Sequence, residues 1–87
     1  MYVIAVYDVA SERCAKMLKL CRKYLHWIQN SVFEGEMSEV TLKTFLIEAR
    51  KIMDESYDSL ILFKSRNSNW LEKQVIGEER SNVDQFL

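Results

Sequence analysis

The chain opens with an apolar segment that stops abruptly at a carboxylate. Residues 2–7 are all hydrophobic, and Asp8 follows them directly. Because polar residues do not alternate with the hydrophobic ones, the pattern predicts a strand that is buried on both faces. The segment is too short to cross a membrane and lacks the basic start of a secretory signal.

Two segments show the three-to-four-residue spacing of amphipathic helices. The first covers residues 11–25, and its basic residues lie mostly opposite the apolar stripe. That stripe comprises Cys14, Met17, Leu18, Cys21 and Leu25. The second helix begins after Ser38, a favourable N-cap residue, and continues to about Glu55. Its inward positions are predicted to be Leu42, Phe45, Leu46, Ala49, Ile52 and Met53.

The remaining segments predict strands and one polar loop. Residues 27–34 allow two structures, either one bent strand or a tight hairpin with Asn30 and Ser31 at its centre. Residues 59–64 predict another buried strand, which a polar loop follows. Residues 70–77 predict an amphipathic strand, and residues 82–87 predict a short final strand.

The order of these elements predicts an α+β fold with both helices on one face of a sheet. We expect a single domain over residues 1–87, since the chain contains no linker and no repeat. The last two predicted strands are surplus to that core. Open strand edges promote pairing with other chains, and a core this small leaves room for stabilisation by a second copy. The pattern therefore predicts self-association.

The charges are concentrated on one element. Twelve Lys and Arg residues against thirteen Asp and Glu residues give a net charge of −1, which argues against nucleic acid as a partner. Residues 11–25, however, contain five basic residues and one acidic residue, a net charge of +4, so the rest of the chain sums to −5. The first helix therefore presents either a solvated basic face or a phosphate-binding one.

The two cysteines indicate a reducing environment. Cys14 and Cys21 lie roughly 10 Å apart on a helix, at about 1.5 Å per residue, which is too far for a disulfide. We interpret them as small core residues of a cytoplasmic protein.

Asp8 has two interpretations. It is either a helix cap or solvated strand end, or a ligand of a metal ion held at the rim of the sheet. One carboxylate cannot hold a divalent cation, which requires several oxygen ligands, and no second acidic residue occupies an obvious partnering position. Two copies of Asp8 facing each other across a twofold axis would supply the missing ligand. His26, the only histidine, is interpreted as a surface or capping residue.

Three segments, "MYVIAVYDV", "WIQNSVFEGEMSE" and "VIGEE", together resemble the CRISPR-associated protein 2 family, the small subunit of CRISPR spacer acquisition. The resemblance covers essentially the whole chain. It implies a ferredoxin-like βαββαβ sandwich and a homodimer in which C-terminal strands extend the partner's sheet. It also implies one Mg²⁺ bound by Asp8 of both protomers.

Members of this family are described as metal-dependent endonucleases that act on single-stranded RNA or duplex DNA. The family also bridges two copies of the CRISPR integrase dimer and helps to hold the spacer-precursor duplex. The resemblance therefore implies a catalytic and metal-binding role for Asp8, with Tyr7 and Phe33 in support. Nucleic-acid contacts are predicted at Arg13, Lys16, Lys64 and Arg66.

The chain departs from the family pattern after Asp8. The loop "VASER" is shorter than usual and lacks the common acidic residue and arginine cluster. Ala15 and Trp27 stand where some members carry arginine. These departures bear on RNA cleavage more than on the fold.

Three hypotheses for function follow. The chain is a metal-dependent nuclease, a non-catalytic bridge in an integration complex, or a toxin-like ribonuclease similar to virulence-associated protein D. The first two are compatible with each other.

Overall fold

The computed structural model describes residues 1–67 and 72–80. Within them the chain forms four strands and two helices, in the order β1 (Tyr2–Asp8), α1 (Ser11–Tyr24), β2 (His26–Gln29), β3 (Val32–Glu36), α2 (Glu39–Ile52) and β4 (Ser59–Ser65). The strands form an antiparallel sheet in the order β2-β3-β1-β4. This is the ferredoxin-like arrangement, so the predicted α+β fold class is confirmed.

Both helices pack against the same face of the sheet and form the core with it. Residues of β1 alternate between the two faces, and Val3, Ala5 and Tyr7 are the ones buried beneath the helices. The helices contribute the buried residues Met17, Leu20, Cys21, Leu42, Phe45 and Ala49. Cys21 is a fully buried free thiol, as predicted, and burial raises its pKa to about 12.

The opposite face of the sheet is apolar and is not covered by a helix. Partners in register share a face, so Val6 lies between Val32 and Ile61, and Ile4 lies next to Phe63. Ile61 and Phe63 are 51% and 55% exposed. We call this surface, made of Tyr2, Ile4, Val6, Val32, Ile61 and Phe63, the open sheet face. The prediction that β1 is buried on both faces is therefore confirmed only for the face that the helices cover.

Residues 27–34 adopt the hairpin, the second of the two predicted structures. Asn30 and Ser31 form the turn between β2 and β3, and Asn30 has a φ of 44°, a left-handed conformation that asparagine adopts more readily than most residues. Gly35 follows on the helix side of β3, where an added Cβ would lie 3.1 Å from Leu25 Cδ2. A side chain at this position would crowd the end of α1.

The helix boundaries agree with the predicted ones except at the end of α2. The Ser38 hydroxyl accepts a hydrogen bond from the Thr41 amide at 3.1 Å, which confirms the predicted N-cap. α2 ends at Ile52 instead of near Glu55 because the backbone turns there: the amides of Tyr57 and Asp58 both donate to the Asp54 carbonyl. Neither α1 nor α2, the helices of the described ranges, is long and apolar enough to cross a membrane.

The strand predicted over residues 70–77 is not formed in the described part of that segment. Residues 72–77 carry no regular secondary structure, because a strand requires an adjacent edge to pair with and these residues do not join the four-stranded sheet of this chain. The strand predicted over residues 82–87 lies outside the described residues.

Replacing Phe45 by alanine should lower the free energy of unfolding by about 3–5 kcal/mol, because the change leaves a cavity in the core. The ring is fully buried and meets Tyr24 edge-on, with 5.7 Å between ring centroids. Ile47 on the same helix is 56% exposed, so Ile47→Ala should change stability by less than about 0.5 kcal/mol. Urea unfolding at one fixed protein concentration measures both variants. Equal losses would contradict the packing of α2 described above.

Candidate metal centre and nucleic-acid interface

Asp8 is the last residue of β1 and lies at the rim of the sheet. Its side chain is exposed, and the alternation along β1 places it on the same side as Val6, at the end of the open sheet face. Its backbone lies opposite Ser59, the first residue of β4. The Asp8 carboxylate makes no hydrogen bond or ion pair with residues 1–67 or 72–80.

The structure excludes the capping interpretation of Asp8. Ala10 occupies the N-cap position of α1, and no side chain caps this helix. Asp8 is separated from that position by Val9. The remaining alternatives are a solvated strand end and a ligand of a metal ion.

The donor type at Asp8 suits Mg²⁺, but the number of donors in one chain does not. Magnesium is bound by oxygen ligands and commonly by one or two carboxylates together with waters. Among the described residues, no three His, Cys, Asp or Glu side chains lie close enough together to hold a metal ion. A metal site at Asp8 therefore requires ligands from outside this part of the chain.

Tyr7 and Phe33 meet in the core, on the sheet face opposite to Asp8. Their rings stack with centroids 6.1 Å apart and an angle of 22° between planes. Burial raises the pKa of Tyr7, and the Tyr7 amide donates to the Ser31 carbonyl at 3.2 Å. These contacts hold the end of β1 against the β2–β3 hairpin, directly before Asp8.

The four predicted nucleic-acid contacts lie in two groups. Arg13 and Lys16 lie in the first two turns of α1, near the Asp8 end of β1. Lys64 and Arg66 lie at the far end of β4, where Lys64 is opposite Val3. Lys64 lies five positions after Ser59 along β4, roughly 17 Å away at about 3.4 Å per residue. One chain therefore does not bring the four residues together.

The side chains of these four residues differ in exposure and in the hydrogen bonds that they already make. Lys16, Lys64 and Arg66 are exposed. Arg13 is largely engaged: its Nε donates to Asp58 Oδ2 at 2.6 Å, and its Nη2 donates to Asp58 Oδ1 at 3.0 Å. Its remaining Nη1 is 3.4 Å from Glu12 Oε1.

Asp58 is the residue at this end of the sheet that the sequence analysis missed. Its side chain has no exposed surface, and it also accepts hydrogen bonds from the amides of Ala10 and Asp54, both at 2.9 Å. The hydrogen bonds from Arg13 hold the pKa of Asp58 well below its usual range. Its position directly before the apolar segment of β4 was the available signal, although β4 is not the buried strand that was predicted, since all its residues are partly or fully exposed. Arg13 is 45 residues away in sequence.

Comparison with known proteins identifies the family. Residues 1–73 match the sequence model of the family described as CRISPR associated protein Cas2. The chain belongs to the Cas2 family. It is 45% identical to a Fusobacterium nucleatum protein named CRISPR-associated endoribonuclease Cas2, with all of this chain and 87% of the relative covered. It is 44% identical to a protein of the same name from Dictyoglomus turgidum, with both chains fully covered.

A solved Cas2 structure superimposes closely on this fold. A crystal structure of Cas2 aligns with a TM-score of 0.84 and 41% identity, covering 93% of this chain and 91% of that one. Membership of the Cas2 family favours the predicted CRISPR function over the toxin-like alternative.

The stabilisation that Asp58 provides should depend on pH. The folded pKa of Asp58 is depressed below the unfolded value of about 4. The ionised pair therefore stabilises the fold at neutral pH, and this contribution is lost as the pH falls below about 5 toward the folded pKa. In denaturant titrations, the difference in stability between the wild type and Asp58→Asn should stay constant from pH 7 to about pH 5 and narrow steadily from there to pH 2. As a control, Glu12→Gln removes the exposed carboxylate near the same guanidinium and should change stability little. A gap that stays constant with pH would contradict this assignment.

Proposed function

We propose that two copies of this chain form a homodimer that acts in CRISPR adaptation. The dimer bridges the CRISPR integrase, holds spacer-precursor DNA, and serves as a Mg²⁺-dependent endonuclease on single-stranded RNA or duplex DNA. Membership of the Cas2 family and the endoribonuclease names of its relatives support this proposal. The observation that carries it is the position of Asp8, an exposed carboxylate at the rim of an apolar sheet face that neither α1 nor α2 covers.

The open sheet face is the surface through which the two copies would associate. Ile61 and Phe63 are both more than half exposed in the single chain. Burial of apolar surface contributes roughly 25 cal/mol per Å², so covering this face with an identical one stabilises both copies. The core of a single copy is small, which makes this additional burial valuable.

A symmetric association would also complete the ligand set at Asp8. In a twofold interface the same surface is used by both copies, so a residue near the axis meets its own counterpart. Asp8 lies at the end of the open sheet face and has no partner among the described residues of its own chain. Two such carboxylates would hold one Mg²⁺ together with waters.

The exposed basic residues would bind the nucleic acid, while Asp8 would hold the metal ion. The exposed Lys16, Lys64 and Arg66 would contact phosphates and so place the substrate. Because they lie at opposite ends of the sheet, their spacing suits an extended duplex better than a single phosphate. A bound Mg²⁺ supplies polarisation of a phosphoryl oxygen and a lower pKa for water. His26 begins β2 at the far edge of the sheet and is not placed to act as a base at Asp8.

A non-catalytic bridge is the second candidate function. It is favoured by the lack of any cluster of three metal-ligating side chains among residues 1–67 and 72–80. Bridging requires the dimer and the exposed basic residues, and it does not require a metal at Asp8.

The variant Asp8→Asn distinguishes the metal-dependent nuclease from the non-catalytic bridge. Asparagine keeps the size of the side chain but removes its charge, so two copies no longer neutralise a shared Mg²⁺. We expect the fold and the dimer to survive, Mg²⁺-dependent cleavage of labelled RNA and DNA to fall to background, and binding to duplex and integrase to persist. Glu12→Gln, which removes an exposed carboxylate four positions later, is the matched control and should retain cleavage.

Two results would contradict these assignments. Full cleavage by a contaminant-free Asp8→Asn dimer would refute the metal role. Loss of integrase binding by that variant would show instead that Asp8 is structural.

Phe63→Glu should dissociate the dimer, because it buries a carboxylate in an apolar interface without a partner. Ile47→Glu is the control: Ile47 is exposed to a similar extent but lies on α2, away from the open sheet face. Sedimentation at micromolar concentration should show a monomer for Phe63→Glu and a dimer for Ile47→Glu, with unchanged circular dichroism for both. A dimeric Phe63→Glu, or a wild type that sediments as a 10.3 kDa species, would rule out this interface.

A further inference from the structure

We propose that Asp58, together with Arg13, positions Asp8, and that Arg13 acts in this way and not as a phosphate contact. This inference rests on the proposed function, because it takes Asp8 as the ligand of Mg²⁺. Asp58 does not touch the metal in this proposal. It fixes the backbone that carries Asp8.

The first argument is the short path between the two aspartates. Asp8 lies opposite Ser59 in the pairing of β1 with β4, and Asp58 directly precedes Ser59. Two residues after Asp8, the Ala10 amide donates to Asp58 Oδ1 at 2.9 Å. The chain is therefore held on both sides of Val9, by the strand pairing before it and by Asp58 after it. These two contacts restrain the backbone at the end of β1, and they thereby fix the position of the Asp8 side chain.

The second argument is that each oxygen of the Asp58 carboxylate accepts two hydrogen bonds. Oδ1 accepts from the Ala10 amide and from Arg13 Nη2, and Oδ2 accepts from Arg13 Nε and from the Asp54 amide. These four bonds join the connection after β1, the first turn of α1 and the segment that follows α2. A buried carboxylate with charge-assisted, two-point contacts to arginine fixes geometry more strictly than a neutral contact.

The third argument concerns Arg13. The Nε and Nη2 groups, which form the side of the guanidinium that grips an oxyanion in a two-point contact, both face Asp58. The Arg13 side chain is 22% exposed. Binding a phosphate through this edge would leave the buried Asp58 charge without its main partner, which is costly. Lys16, one turn further along α1, is exposed and makes no ion pair with the described residues.

The experiment compares Asp58→Asn, Arg13→Gln and the double variant by two measurements. Mg²⁺ alone is titrated calorimetrically into each dimer, and duplex DNA binding is measured as a function of salt. We expect each single variant to weaken Mg²⁺ binding about fivefold or more, and the double variant to bind as the weaker single one does, because the pair acts as a unit. Arg13→Gln should leave the salt dependence of duplex binding unchanged, whereas Lys16→Gln should flatten it.

Arg13→Lys provides a second test if Asp58→Asn does not fold. Lysine keeps the charge but loses the two-point contact. The Arg13→Lys variant should therefore fold, and it should retain only part of the Mg²⁺ affinity of the wild type. Amide hydrogen exchange at Ala10 supplies a readout that is independent of the metal: it should accelerate in every variant that breaks the pair.

The outcomes distinguish this inference from the proposed function. Failure of the wild type to bind Mg²⁺, or binding that Asp8→Asn leaves intact, overturns the metal site and the positioning role together. Binding that Asp8→Asn abolishes and folded Asp58→Asn retains in full overturns the positioning role alone. Additive losses of Mg²⁺ affinity in the double variant would overturn the joint action of Arg13 and Asp58. A flatter salt dependence for Arg13→Gln would assign Arg13 to phosphate binding.

Discussion

The two helices of the described residues, α1 and α2, both cover the same side of the sheet, and the rest of the structure depends on this constraint. Both helices pack over Val3, Ala5 and Phe33, which are fully buried. The alternating residues of the same strands face the other way and remain partly exposed. An exposed apolar surface of this kind is typical of a site that contacts another molecule. The same asymmetry places the Asp8 carboxylate at the edge of the open sheet face.

Glu34 is a charged residue of β3 that lies beside the open sheet face and is paired. Glu34 lies next to Ile4 in register, and its carboxylate accepts a hydrogen bond from the Tyr2 hydroxyl and forms an ion pair with Lys73. Burial, together with the bond to Glu34, raises the pKa of Tyr2 to about 12.

The two aspartates at the end of the sheet illustrate how environment decides the role of a side chain. Asp8 lies opposite Ser59 in the sheet, and Asp58 directly precedes Ser59. Asp58 is enclosed, accepts four hydrogen bonds and serves the structure of one chain. Asp8 is exposed and makes no such bond within the described residues. A carboxylate of the first kind is fully satisfied, whereas one of the second kind is available to a ligand.

The sequence by itself determined both helices and two of the four strands. The spacing of apolar residues located both helices, the N-cap at Ser38 and the strands β1 and β4, because these features depend on local periodicity and local hydrogen bonds. It also singled out Asp8, since an acidic residue that ends an apolar strand is visible along the chain, and the quoted segments indicated the family. What Asp8 does was not decidable locally: its capping role was excluded only when Ala10 was found at the N-cap position.

Tertiary structure decided the features that join distant segments. The hairpin turn at Asn30 depends on the pairing of β3 with β1, which the local pattern does not specify. The contact of Arg13 with Asp58 likewise joins residues that no periodicity relates. The same is true of the division of the basic residues between two ends of the sheet. Local patterns fix which face of an element is apolar, but the partner of a buried charge is set by the packing of the whole chain, because that packing alone brings residues far apart in sequence into contact.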